Sequence, residues 1–274
     1  QSIWVYDVDS VKVGQGSLPD FVEDDAGNFI ISGYGKDTTI NNQKRLMPFI
    51  LRIDSNGNKM DLTKYANTTV NRICMAVCNN NNGFSLCGYA NSTAFPYKGM
   101  FYTQVDKQCN LVWDTLFFDS TQAITAQLID HQNDDFTIIY GAAKSATLNG
   151  TLFTRMAGEN KTLGKETFYS DYENLAKPAS ISKTTDGGYI LSATTNILEG
   201  GILIFYSKFY LLKLDANLNV QWTRQFNSTN PYTMVSAVQT LDGGYLLGGF
   251  EHTASYVFTM VMIKTDADGN IVAE

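Results

Sequence analysis

One short pattern recurs five times along the chain. Its clearest copy is Thr185-Asp186-Gly187-Gly188-Tyr189-Ile190-Leu191-Ser192, and its best twin is Leu241-Asp242-Gly243-Gly244-Tyr245-Leu246-Leu247-Gly248. Fainter copies read Asp25-Ala26-Gly27-Asn28-Phe29-Ile30-Ile31-Ser32-Gly33, Asn81-Asn82-Gly83-Phe84-Ser85-Leu86-Cys87-Gly88 and Asn133-Asp134-Asp135-Phe136-Thr137-Ile138-Ile139. The anchoring aromatic stands at 29, 84, 136, 189 and 245, which are steps of 55, 52, 53 and 56 residues. A regular period of this size marks a repeat architecture. Asp-Gly-Gly supplies the positive φ angles of a tight turn between two strands. The aromatic then opens a strand of Ile, Leu and small residues.

A second anchor follows in each unit: an apolar strand, an Asp, a polar turn and another strand. Its copies centre on Ile53-Asp54-Ser55-Asn56-Gly57-Asn58, Val105-Asp106, Leu214-Asp215-Ala216-Asn217 and Thr265-Asp266-Ala267-Asp268-Gly269-Asn270. The third unit is degraded here, with Leu152-Phe153-Thr154-Arg155-Met156 running into Gly158. Trp113 and Trp222 each come seven residues after the Asp, at 106 and 215. Each unit therefore holds four strands in a meander, and such units repeated around an axis are propeller blades. The expected fold is all-β: a single five-bladed β-propeller domain of four-stranded antiparallel blades, approximately 14–66, 67–118, 119–170, 171–228 and 229–274. Ser2-Ile3-Trp4-Val5-Tyr6 alternates like a strand, while the last unit stops where a counterpart of Trp222 would fall at Ala273. Residues 1–13 are thus expected to complete the fifth blade, which removes exposed strand edges.

These motifs resemble the DGGY-type propeller repeats of secreted bacterial, Bacteroidetes-type lipoproteins, over nearly the whole chain. The WD dipeptide of another propeller class occurs once, at Trp113-Asp114, without repeating. The resemblance implies an exported protein, periplasmic or held at the outer membrane or cell surface. It leaves room for a lipid anchor upstream of Gln1, where the absence of an initiating Met reads as a processed leader. A net charge of −7, with Lys44-Arg45 the one basic cluster, excludes the basic stripe that nucleic acid requires. No apolar run is long enough for a membrane helix.

Asp54-Ser55-Asn56-Gly57-Asn58 and Asp266-Ala267-Asp268-Gly269-Asn270 look like the start of a calcium loop. The twelfth position from Asp54 is Tyr65, however, so both read as turns and no metal or other cofactor is expected. Cys74, Cys78, Cys87 and Cys109 all lie in the second unit. Strand alternation puts 74 and 78 on one face, and a disulfide between Cys74 and Cys87 competes with small buried thiols. His131 and His252 read as solvated loop residues at opposite ends, which leaves nucleophilic catalysis without a base.

Five-bladed propellers include furanosidases, and glycoside hydrolysis needs paired carboxylates. Of the five expected innermost strands only the first carries acids, Asp20 and Glu23; the others offer Gln127, Ser180, Ser182, Ser236 and Gln239. Asp119, Asp171 and Glu173 lie between blades. No catalytic residue is assigned. The loops between second and third strands are long and varied, and function usually sits on such loops over a rigid frame. They are flanked by Tyr34, Tyr89, Tyr97, Tyr140, Phe205, Tyr206 and Tyr256, rings suited to sugar stacking or a protein contact. The expected function is a non-catalytic exported binding or scaffold module that recognises glycan or protein through these loops. The alternatives are a glycoside-active enzyme and a purely structural subunit.

Overall fold

The computed structural model describes residues 20–37, 45–65, 70–94, 98–118, 120, 123–133, 136–144, 149–157, 163–169, 177–199, 202–227, 230, 232–254 and 257–272, some of them by backbone alone. They form five antiparallel meanders. The first is β1 (Phe21–Glu23), β2 (Phe29–Asp37), β3 (Arg45–Ile53) and β4 (Lys59–Lys64); the second is β5 (Asn71–Asn80), β6 (Gly83–Asn91), β7 (Gly99–Asp106) and β8 (Leu111–Phe117). The third is β9 (Ala123–Asn133), β10 (Phe136–Lys144), β11 (Asn149–Ala157) and β12 (Leu163–Tyr169), and the fourth is β13 (Lys177–Lys183), β14 (Tyr189–Glu199), β15 (Ile202–Leu214) and β16 (Val220–Phe226). The last sheet holds β17 (Tyr232–Gln239), β18 (Tyr245–Ala254) and β19 (Val257–Thr265).

Four sheets therefore have four strands and the fifth has three among the described residues, in place of the five complete blades expected. A lone bridge between Thr265 and Ile271 is all that follows β19 there. The expected closing strand, residues 1–13, lies outside the described residues.

The chain falls into two compact units, Gln1–Ala146 with Leu152–Thr167, and Thr147–Thr151 with Phe168–Glu274. Inside each unit the first strand of a sheet packs on the sheet before it: β5 on β1, β2 and β3, and β17 on β13, β14 and β15. In the first unit the core joins Ile30 and Ile50 to Cys74, Val77, Phe84, Leu86 and Phe101. In the second it joins Ile190, Phe209 and Leu211 to Met234, Tyr245 and Leu247.

The anchoring aromatics hold one register. Phe29 faces Ile53, Phe84 faces Val105, Tyr189 faces Leu214 and Tyr245 faces Thr265, each partner immediately preceding the Asp of the second anchor. Phe136 opens β10, where its backbone pairs with Asn133.

Most turns share a five-residue geometry of one chemical type. In Asp24–Asn28, Asp54–Asn58, Asp106–Asn110, Asp215–Asn219 and Asp266–Asn270 the Asp N–H donates to the carbonyl of the Asn four residues on. One Asp Oδ accepts the N–H groups two and four residues on, and the other accepts the Asn side-chain amide, as at Asp54 with 2.9, 2.7 and 2.9 Å. The fourth residue takes positive φ, including Cys109 at 63° and Leu218 at 62°. These bonds, the Asn58 side-chain amide first, hold Asp54 below the usual carboxylate range. The carboxylate is thus spent on its own turn, which accounts for the residues that resembled a calcium loop.

The Asp-Gly-Gly copies reach the same backbone by another route. Thr184 and Thr240 replace the leading Asp, and the Asp moves two places along, accepting from Thr184 Oγ1 at 2.5 Å and from Gly188 N at 3.1 Å. Only the first glycine has positive φ, 79° at Gly187. The second is required by close approach, because a Cβ on Gly188 would collide with the Leu214 carbonyl. This corrects the expectation that both glycines serve the φ angle. The displaced Asp is held from β15 by Lys213, whose Nζ donates to Asp186 at 2.8 Å and to Leu214 O at 2.8 Å. Lys264 does the same for Asp242.

Burial pushes Asp186 up, but the Lys213 ammonium, the Thr184 hydroxyl and the Gly188 amide outweigh it and bring its pKa to about 2. Since the folded value lies below the unfolded 3.8, the contribution is full above that value and is lost as pH falls toward about 2. Asp186 is half-exposed while Lys213 is 3% exposed. After discounting for solvent screening the pair contributes about 1 kcal/mol. Removing the carboxylate strands a buried ammonium, so Asp186→Ala should cost about 2 kcal/mol in urea unfolding at pH 7. Lys213→Met should cost under about 1 kcal/mol and flatten the acid limb. If Lys213→Met proves the costlier change, the clamp is misread.

Candidate functional site

Two of the seven expected ligand-facing aromatics come together. Tyr34 of β2 and Tyr89 of β6 each lie five residues beyond their anchoring aromatic, toward the long-loop end of adjacent sheets. Both side chains are half-buried. Burial raises the Tyr89 hydroxyl pKa, and Tyr34 adds to it. Lys98, exposed at the start of β7's hairpin arm, places its ammonium 5.0 Å from the centre of the Tyr89 ring. The Lys98 carbonyl accepts from Ile124 N at 2.9 Å, which ties this end to the next sheet. Two half-buried rings on adjacent sheets, with the Lys98 ammonium over the Tyr89 ring, form a partly apolar patch that carries a hydrogen-bond donor. Lys98 directly follows Tyr97 in the same loop, where a lone lysine carries no sequence signal that sets it apart.

Tyr140 lies in β10, and Phe205 and Tyr206 in β15, each described by backbone alone; Tyr97 and Tyr256 lie outside the described residues.

The carboxylate expected to test for hydrolysis is already engaged. Asp20 immediately precedes β1, and its Oδ2 accepts Val77 N, in the first strand of the next sheet, at 2.9 Å. Its Oδ1 accepts Phe21 N at 3.0 Å. In the second unit Ser180 Oγ accepts Ala237 N at 2.9 Å in the same way. Val77 faces Leu86 and Ala237 faces Leu247, each two residues past the anchoring aromatic, so the two clamps occupy matching places. A serine doing the same work marks Asp20 as a link between sheets. Glu23 is exposed at the end of β1, and its carbonyl accepts Asn79 Nδ2 at 2.7 Å. Asp119, Asp171 and Glu173 lie outside the described residues, as does the side chain of Gln127.

Several finer expectations are corrected. A bulge between Cys74 and Ala76 breaks strand alternation, so 74 and 78 do not share a face. Cys74 packs with Val77, Phe84 and Leu86, whereas Cys78 stands opposite Ser85. None of the four cysteines forms a disulfide, and all are buried. Burial, above all, pushes Cys74 up to about 12 and Cys109 up to about 11, so neither is a ready nucleophile. His252 is a strand residue of β18 and not a solvated loop residue: Nε2 bonds Thr233 Oγ1 at 2.9 Å and the ring meets Phe258 edge-on at 4.6 Å. The backbone of His131 lies in β9, paired with Thr137.

No family model and no curated protein matches the chain. Among solved structures it is similar to a polysaccharide lyase, an ulvan lyase bound to -[GlcA(1-4)Rha3S]-, with a TM-score of 0.58, 8% identity and 92% of this chain against 64% of that one. An exo-β-1,3-galactanase from Phanerochaete chrysosporium with galactose gives 0.51, 13% identity, and 93% against 62%. The Dos1 propeller gives 0.52, 10% identity, and 95% against 59%. The chain spans less than two thirds of the length of each of these structures. At such identities the likeness shows the fold alone, and that fold is an all-β propeller.

Burial raises Asp20's pKa against the Val77 and Phe21 amides. A carboxyl raised on folding contributes fully below its unfolded pKa, and that contribution is lost as pH rises through the folded one. Asp20→Asn keeps an acceptor for Val77 N without a buried charge, so at pH 7 it should match or exceed the parent in denaturant midpoint. Asp20→Ala should lose about 1–2 kcal/mol. Equal losses in the two variants would show that the carboxylate's charge, and not its acceptor, matters.

Proposed function

We propose that this chain is a non-catalytic glycan-binding propeller module of the DGGY-repeat lipoprotein type, exported and acting in the periplasm or at the cell surface. The observation that carries the reading is the platform of Tyr34, Tyr89 and Lys98 at the long-loop end. A sugar ring presents apolar C–H faces to aromatic rings, and its hydroxyls need donors and acceptors at the rim. Neighbours whose names include a polysaccharide lyase and a galactanase support a saccharide as ligand over a protein. The absence of catalysis is supported by Asp20, whose carboxylate holds two backbone amides and is not free to act on a glycosidic bond.

A glycan array followed by calorimetry on the folded protein tests this. An oligosaccharide should bind, Tyr89→Ala should weaken it about tenfold, the loss of roughly 1.4 kcal/mol, and no new reducing or unsaturated ends should accumulate. Accumulating product would make the protein an enzyme. An empty array alongside a specific protein in pull-down would move the reading to protein recognition.

The same proposal has five blades, the fifth completed by residues 1–13. Its support is β19, where Val257, Phe258, Met260 and Met262 are exposed on the outermost described strand of the three-stranded sheet. Such an apolar edge invites a further strand. Deleting residues 1–13 should cost about 3 kcal/mol and lower the melting temperature by about 10 °C. An unchanged melting curve would refute the closure.

A further inference from the structure

A cleft of about 170 Å3 opens at the tight-turn end of the first unit, opposite in each strand's direction to the aromatic platform. It is lined by Asp24, Asp25, Ala26, Asn79, Asn80, Gly83, Phe84 and Lys107. The second unit shows why it exists. There Gln239, which faces Tyr245 across the ladder, extends to the preceding sheet and accepts Thr185 N at 2.8 Å. Its amide also donates to Gly243 O at 3.2 Å, so one side chain spans the gap between two turns.

Asn79 occupies the matching place, facing Phe84. It is one methylene shorter and stops at Glu23 O, 2.7 Å away. Asp25 corresponds to Thr185, and among the described residues no side chain reaches its N–H as Gln239 reaches that of Thr185. The second sheet also shortens its turn: Asn80 pairs with Gly83 across Asn81 and Asn82, where the neighbouring turns use five residues. A shorter side chain and a shorter turn coincide at one point, and space is left there.

The lining has a definite chemistry. Phe84 and Ala26 give an apolar floor. Asp25 brings a carboxylate that is 93% exposed and bound at 3.1 Å to Lys107, itself 57% exposed, so both can turn toward a ligand. Asn79 brings a carboxamide, whereas that of Asn80 is committed, its Nδ2 donating to Ser85 Oγ at 2.8 Å and its Oδ1 accepting Asn82 N at 2.9 Å. Asp24 is not available, because its carboxylate is held by Ala26 N, Asn28 N and the Asn28 amide. That leaves one exposed carboxylate, the ammonium paired with it and the Asn79 amide around an apolar base. Adjacent hydroxyls on a ring match this set, donating to the Asp25 carboxylate or the Asn79 amide oxygen and accepting from the Lys107 ammonium.

We propose that this cleft is a saccharide subsite for a single pyranose residue, distinct from the long-loop platform. It shares the ligand class of the glycan reading but stands on different residues, so either can fail alone. The test is saturation-transfer NMR and calorimetry with D-galactose, D-glucose, L-rhamnose and L-arabinose as probes. Asn79→Gln rebuilds the bridge seen at Gln239 and should close the cleft; Lys107→Ala removes the donor and leaves the backbone alone. At least one monosaccharide should bind in the millimolar range. Asn79→Gln and Lys107→Ala should each weaken it at least tenfold, while Tyr89→Ala leaves it unchanged and lowers oligosaccharide affinity. If Asn79→Gln fails to fold, Lys107→Ala alone decides. No saturable monosaccharide binding, or binding that follows Tyr89 and ignores Asn79 and Lys107, overturns the proposal.

Discussion

The turns between strands carry their own acceptors, and the rest of the structure depends on that. A five-residue connection leaves several N–H groups pointing inward, and each left without a partner would cost about as much as a lost hydrogen bond. Here one carboxylate takes them. Asp106 accepts from Gln108 N and Asn110 N, and from the Asn110 side chain, at 2.9, 2.8 and 2.9 Å. Because the geometry is closed within five residues, it fixes which residue pairs with which on the flanking strands. In the sheets where both strands are described, the anchoring aromatic accordingly faces the residue before the next turn. With the register fixed, Phe84, Tyr189 and Tyr245 arrive in the core at 3%, 0% and 2% exposure.

The two turn chemistries show how the chain exchanges one residue for several. Moving Asp from the first to the third place frees its carboxylate from one set of amides and requires a new counter-group. The second unit supplies it from the neighbouring strand, Lys213 for Asp186 and Lys264 for Asp242. In the first unit the corresponding places, two before Asp54 and Asp106, hold Arg52 and Gln104, and Arg52 is engaged by Asp61 at 3.2 Å. Thus Asp-Gly-Gly and a lysine near the end of the third strand form one device spread over two strands. A deeper ionic link serves the first unit. Arg72, 1% exposed, donates to Asp114 at 2.6 Å and to Tyr65 O at 2.5 Å, and lies 5.4 Å from the centre of the Phe101 ring.

Much of this was legible from residue types and spacing. In four of the five units the aromatic after the turn and the Asp of the second anchor found their places, since short-range turn chemistry needs only neighbours in sequence. Alternation puts Cys74 and Cys78 on one face, but the bulge between Cys74 and Ala76, which local composition does not announce, separates them. His252 reads as a loop residue from sequence because β18 extends further than its apolar run suggests. The Asp20 clamp was hidden for a related reason: its acceptor role exists only because Val77, 57 residues away, brings an N–H to it. Lys98 beside Tyr89 joins residues of one hairpin, yet only the ladder reveals that they meet.

A repeat also makes its departures readable. Where Ser180 and Asp20 do one task, the difference between hydroxyl and carboxylate has no consequence for the link itself, and the acid need not signal chemistry. Where Gln239 spans a gap and Asn79 does not, the difference leaves a space with polar walls. Stability alone would favour filling that space, since an open cleft forfeits contacts that the longer side chain makes. Retaining the shorter residue beside an exposed Asp25–Lys107 pair is what a surface shaped by a ligand would do. On that reasoning both proposed sites fall in the first unit, at opposite ends of the same pair of sheets: the rings of Tyr34 and Tyr89 at one end, the cleft over Phe84 at the other.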